Sequence, residues 1–258
     1  MNLSTSAATS SIPRQKPRHH GTLPFLLRQS LVVLVAVITY FGVRHFTEGS
    51  TENATRNAEL VINLQERIGI SVERDFQAWA LELPGIQQAM NTIYIWGHWP
   101  VIVTTLGWLA WKKREKFTLY RNTLVISGLV GMVIVATFPM APPRLLDIGV
   151  IDTVTMHSEA YRVLQPPSLT NQYAAMPSFH FGWNLLIGIA LAREAPALWA
   201  RIIGWGLPLL MLLSIVITGN HFILDAAAGA AIILTSLAVS TRHQRRIDTK
   251  DSTEPPNT

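Results

Sequence analysis

Long apolar runs separated by short clusters of charge constrain this chain more than any other feature. Residues 30–43, 86–111, 123–140, 179–192, 202–218 and 222–239 are filled mainly with Leu, Val, Ile and Ala. Several of these runs approach the ~20 residues a helix needs to cross a hydrocarbon core. In lipid only helices and closed barrels satisfy their own backbone hydrogen bonds. The runs lack strict polar/apolar alternation and exceed the length of barrel strands, so the pattern predicts helices. The expected fold is all-α, a polytopic membrane protein with a six-transmembrane-helix bundle. The chain is 49% hydrophobic and only 14% charged, and the charge falls in the connections between runs.

The first run is short, but residues 23–27 extend it if Arg28 snorkels to the headgroups. A basic lead-in (Arg14, Lys16, Arg18) also suits a signal peptide, yet Gly42-Val43-Arg44-His45 offers no small-x-small cleavage pattern. Lys112, Lys113, Arg114, Lys116 and Arg121 follow the second run, Arg193 and Arg201 lie between the fourth and fifth, and Arg242, Arg245 and Arg246 follow the sixth. All of these fall on the side of the basic N-terminus, which the positive-inside rule makes cytoplasmic. A plasma-membrane protein with both termini inside is the expectation. The net charge of +5 serves orientation and contact with anionic lipid heads, so no nucleic-acid partner is implied.

The expected organisation is a disordered basic tail at 1–22, a first transmembrane helix at 23–46, an extracytoplasmic amphipathic segment at 47–85, a membrane domain at 86–241 and a disordered cytoplasmic tail at 242–258. Within the extracytoplasmic segment Leu60, Leu64 and Ile68 recur every four residues, and Phe76, Trp79, Ala80 and Leu83 follow helical spacing before Pro84-Gly85 breaks it. A helical hairpin lying on the outer leaflet or capping the bundle is expected.

Counting spans brings Arg144, His180 and His221 to the same outer face. There the chemistry concentrates. Asp225 lies four residues after His221, on one helical face with it, in an apolar run where an ionisable group is costly. A carboxylate so placed can hold one imidazole nitrogen as a donor and leave the other as a lone pair, which makes His221 a candidate nucleophile. His180 follows Pro177-Ser178 at a helix start, where unpaired N–H groups favour an anion. The Ser178 hydroxyl adds a donor, and Arg144 offers a forked cation suited to phosphate oxygens. Asn91, Tyr94 and His98 form a polar stripe of the kind that makes interhelical hydrogen bonds. His157, Arg162, Asn171 and Tyr173 lie in the outer loop, where they could read a headgroup.

Pro177-Ser178-Phe179-His180 and Gly219-Asn220-His221-Phe222-Ile223-Leu224-Asp225 resemble the second and third signature motifs of the type 2 phosphatidic acid phosphatase superfamily. Together with Pro139-Met140-Ala141-Pro142-Pro143-Arg144 and the run His180–Trp183, they look like its bacterial branch related to inositol phosphorylceramide synthases. The resemblance implies phosphoryl chemistry through a phosphohistidine, with no cofactor and no metal. His221 would attack phosphorus, Asp225 would orient His221, and His180 would protonate the leaving oxygen. Ser178 and Arg144 would bind the non-bridging phosphate oxygens. The implied substrate is a phospholipid or lipid phosphate in the membrane, with water or an alcohol or polyol as acceptor. Two positions depart from the family pattern: Thr137 stands where the first motif has Lys, and Ile215 follows Ser214 where the third has Arg. These departures fit the synthase-like branch.

Two other classes use the same residues. His180, His221 and Asp225 are ordinary zinc ligands, although the helix start and Arg144 disfavour a cation there. Histidines in a helical bundle also ligate haem or carry protons in transporters. The chain has no cysteine, so thiol and disulfide chemistry are excluded.

Overall fold

The computed structural model describes residues 24, 27, 29, 31, 32, 50–157 and 171–253. The chain divides into two units, Met1–Thr39 and Tyr40–Thr258, and all the elements below belong to the second. The tail expected at 1–22, nearly all of the span expected at 30–43, and Arg162 lie outside the described residues.

Helix α1 (Thr51–Ile68) starts where the Ser50 side chain accepts a hydrogen bond from the Asn53 amide, and it ends at Gly69 in the left-handed conformation. That glycine reverses the chain into α2 (Glu73–Leu81). Then follow α3 (Ile86–Trp96), α4 (Trp99–Lys112), α5 (Arg114–Thr137), a 3-10 turn at Pro143–Leu145, and α6 (Thr153–His157). Helices α7 (Phe179–Glu194), α8 (Leu198–Ile217) and α9 (Ile223–Thr253) complete the order. Among the described residues the sole extended pairing is an isolated bridge between Met140 and Ala174.

Three helices are long and apolar enough to cross a membrane: α5, α8 and α9 up to Ile247. Their outward faces carry Leu129 and Val133, Trp205 and Leu209, and Leu234, all exposed, while Ser127, Ser214 and Asp225 are buried inside. Contiguous exposed apolar surface of this kind is anomalous in water and ordinary in lipid. This is a membrane protein.

The structure departs from the expected spans in three places. The run at 86–111 is broken between α3 and α4 at Gly97 and His98, because Pro100 has no N–H to give the Trp96 carbonyl and its ring crowds that oxygen. Helix α7 has 16 residues, about 24 Å of rise against the ~30 Å of a hydrocarbon core. The segment from 242, expected to be disordered, continues α9 as helix to Thr253. Arg, Gln and Lys are good helix formers, and no Gly or Pro intervenes before Pro255.

Helix α7 occupies the middle of the bundle, packed on α4, α8 and α9. A side chain at Gly229 of α9 would place its Cβ 2.4 Å from the Ser178 carbonyl, so the bare glycine is what lets the start of α7 lie against α9. On α1 the Leu60, Leu64 and Ile68 stripe is exposed. Helix α1 instead buries Ala54, Ala58, Val61 and Gln65. The alanines allow close approach, so Ala54 O accepts from Ala141 N at 3.1 Å and the Asn57 amide donates to Pro139 O at 2.8 Å.

Candidate active site

His221 stands on the short link between α8 and α9. Gly219, with φ at 70°, makes the turn, and any Cβ there would meet Val150, the Ile151 carbonyl and Arg144 within 3.2 Å. The amides of Asn220 and His221 both donate to Ile215 O, at 3.0 and 3.2 Å. The imidazole is fixed by its Nδ1, which donates to the Ala175 carbonyl at 2.8 Å. A carbonyl can only accept, so Nδ1 carries the proton and neutral His221 keeps its lone pair on Nε2. Burial pushes the His221 pKa down to about 4; the Ala175 hydrogen bond opposes this and the Arg144 charge adds to it. His221 is therefore neutral at pH 7.

Asp225, which the spacing places beside His221, is fully buried on the first turn of α9. Its Oδ2 lies 3.4 Å from His221 Nδ1, and the same oxygen accepts from Phe222 N at 2.8 Å. The direct holder of the imidazole is thus a backbone carbonyl, with the carboxylate behind it. The Asp225 carbonyl in turn accepts from Ser178 N at 2.9 Å, which ties the starts of α7 and α9 together. Asp225 Oδ1 is buried without a hydrogen-bond partner among the described residues.

Ser178 is the N-cap of α7, its Oγ accepting from Phe181 N at 3.4 Å. Its hydroxyl proton can still be donated. His180, on the first turn, comes to 6.1 Å from His221 between ring centroids. Its ring is stacked on Tyr94 and on His98, each at 4.3 Å. The Asn184 amide donates to His180 O at 2.8 Å and lies 3.2 Å from His98 Nδ1. Sequence reasoning grouped Asn91, Tyr94 and His98 as interhelical hydrogen-bonding residues. Asn91 is one, bonded to the Thr153 carbonyl and hydroxyl, both at 2.8 Å. Tyr94 and His98 instead stack on the candidate His180, and the signal for His98 was the Gly97–Pro100 break.

Arg144 reaches the same link from the loop after α5. Its amide donates to Gly219 O at 2.9 Å, its Nε to Asn220 Oδ1 at 2.9 Å, and its Nη1 to Asp152 Oδ2 at 3.1 Å. Sequence reasoning missed Asp152 and Asn220 as the holders of this guanidinium. The two positions that depart from the family pattern have local uses: Thr137 Oγ1 donates to the Val133 carbonyl at 2.8 Å, and Ile215 is buried with its carbonyl accepting from the Asn220 and His221 amides. In the loop before α7 Asn171 Oδ1 accepts from Tyr173 N, and the Tyr173 hydroxyl pairs with that of Thr51. These contacts fasten the loop to α1.

The described residues thus bring together four of the five sequence candidates around one link, with Ser178 capping the helix that carries His180. A neutral imidazole with an open Nε2, a second imidazole and a cation can together bind a tetrahedral anion and attack it. Among the described residues, no group of three or more His, Asp or Glu side chains is arranged to hold a metal ion.

A family model described as the PAP2 superfamily matches residues 59–239. The match begins within α1 and ends within α9, so it includes every site residue named above. No curated protein and no solved structure shows a significant match to the chain.

Proposed function

Because the chain belongs to the PAP2 superfamily, we propose that it is a lipid-phosphate phosphatase or phosphotransferase working through a phosphohistidine at the outer face of the membrane. The observation that carries this reading is the pairing of His221 and His180, 6.1 Å apart, with the His221 proton fixed on Nδ1 by Ala175. His221 Nε2 attacks phosphorus while the bond to the leaving alcohol oxygen breaks, and His180 gives that oxygen its proton. Water or a second alcohol then attacks the phosphohistidine, returning its own proton to His180 and releasing His221. Arg144 and Ser178 hold the non-bridging oxygens, where charge builds in the transition state. Asp225 supports the imidazolium-like charge from behind Nδ1.

The helices short of a full span are read as members of the same membrane bundle, α3 with α4 as one broken crossing and α7 as a short one. The exposed leucine stripe of the α1–α2 hairpin suits the surface of the outer leaflet. The missing family cations at Thr137 and Ile215 suit the synthase-like branch, in which transfer to a polyol replaces hydrolysis.

The test is phosphate release from a panel of lipid phosphates by detergent-purified protein in EDTA, wild type against His221→Ala. Release that survives chelation and vanishes with the substitution supports the histidine mechanism and hydrolysis. If release is absent, product formed only with added polyol or lipid acceptors supports transfer. No product under either regime sinks the reading.

A further inference from the structure

The hairpin that precedes the membrane bundle reaches into the candidate site with two buried polar side chains that the mechanism above does not use. Gln65, from the last turn of α1, and Glu73, the first residue of α2, face each other across the Gly69 turn, and Gln65 Nε2 donates to Glu73 Oε1 at 2.7 Å. Neither is exposed: Glu73 retains 4% of its surface and Gln65 none. Glu73 Oε1 also accepts from Ile223 N at 2.9 Å, and Gln65 Oε1 from Leu224 N at 3.1 Å. The preceding amide, that of Phe222, is taken by Asp225 Oδ2 at 2.8 Å.

Three successive amides at the start of α9 thus have three side-chain acceptors, and two of them come from more than a hundred residues away. A helix start needs acceptors for its unpaired N–H groups, and its dipole favours negative charge there. A serine or aspartate in the local sequence normally suffices. Here a carboxylate is buried in the hairpin for the purpose, although desolvating it costs several kcal/mol unless it is well bonded. The amides so held are the two that follow Phe222, between His221 and Asp225. We propose that Gln65 and Glu73 are positioning residues, which hold the first turn of α9 and through it set His221 and Asp225 against Ala175 and His180.

This inference rests on the proposed phosphoryl chemistry for its kinetic readout but not for its structural one. The experiment takes the full chain in detergent as wild type, Gln65→Ala, Glu73→Ala, Glu73→Gln and Asn57→Ala. Asn57 fastens the same hairpin to Pro139 and leaves the α9 amides alone. Turnover on the best lipid phosphate should fall about tenfold or more in Glu73→Ala and Gln65→Ala with KM nearly unchanged, since misplacement of reacting groups acts on kcat. Glu73→Gln keeps an acceptor oxygen and should recover most of the turnover, and Asn57→Ala should retain it. Amide hydrogen exchange over 221–226 should quicken in the two alanine variants and not in Asn57→Ala. Wild-type exchange and turnover in Glu73→Ala would overturn the proposal. So would equal kinetic losses in Asn57→Ala, or no recovery in Glu73→Gln, either of which would make the contacts structural only. If no variant and no wild type turns over any lipid phosphate, the functional reading fails, and the exchange pattern alone decides whether the clamp exists.

Discussion

His221 gives its Nδ1 proton to the carbonyl of Ala175, 2.8 Å away, while the Asp225 carboxylate stands at 3.4 Å. The tautomer that exposes Nε2 is therefore set by the backbone of the segment before α7, and Asp225 caps the Phe222 amide.

That division of labour makes Asp225→Asn milder than the usual loss of an orienting carboxylate. Where the carboxylate alone sets the tautomer, its amide replacement costs about 10⁴ in turnover. Here an asparagine oxygen can still accept from Phe222 N, and Ala175 still holds Nδ1. Turnover should fall by about 10- to 100-fold, the loss of the carboxyl group beside Nδ1 rather than of the tautomer. Single-turnover rates on a lipid phosphate check this, and a loss near 10⁴ would return the orienting role to Asp225.

The depressed His221 pKa has a consequence for folding. With the folded value at about 4 and the ordinary value at 6.5, the unfolded chain takes up the proton first as pH falls. Stability from this group is level above pH 6.5 and is lost between 6.5 and 4, by at most about 3 kcal/mol. His221→Asn removes the titrating group. Melting temperatures in detergent from pH 7.5 to 4.5 should therefore fall faster for wild type than for His221→Asn, and parallel curves would contradict the buried, neutral imidazole.

Residues that announce themselves by chemistry were legible in the sequence. An aspartate in an apolar run, a histidine four residues before it, a second histidine at a helix start and an arginine after a Pro-Pro pair all converge in the structure. The rest depended on geometry that composition does not carry. Ala175 acts through its carbonyl, which any residue type supplies. Tyr94 and His98 stack on His180, and His98 stands at the break that Pro100 makes between α3 and α4. Gln65 and Glu73 pair, buried, across the Gly69 turn, a contact that the leucine periodicity of the hairpin does not indicate.

Arg144 is held through two of its guanidinium nitrogens, by Asn220 and Asp152. A lysine has one charged tip and cannot keep both partners while facing a phosphate. Arg144→Lys should weaken binding of substrate, or of inorganic phosphate as inhibitor, by about tenfold or more, the worth of one hydrogen bond to a charged group. Equal inhibition constants for the two proteins would take Arg144 out of the phosphate site.

Gly229→Ala tests whether the closeness of α7 and α9 sets the histidine pair. The new methyl group would lie 2.4 Å from the Ser178 carbonyl, and that atom is backbone, so no side-chain rotation relieves the clash. The start of α7 must move off α9, carrying His180 away from His221 and stretching the bond from Ser178 N to the Asp225 carbonyl. Overpacking of this kind costs about 1–3 kcal/mol, and a displacement near 1 Å at reacting groups lowers turnover about 100-fold. A lowered melting temperature together with lost turnover is expected. A variant as unstable but fully active would separate the helix contact from the chemistry.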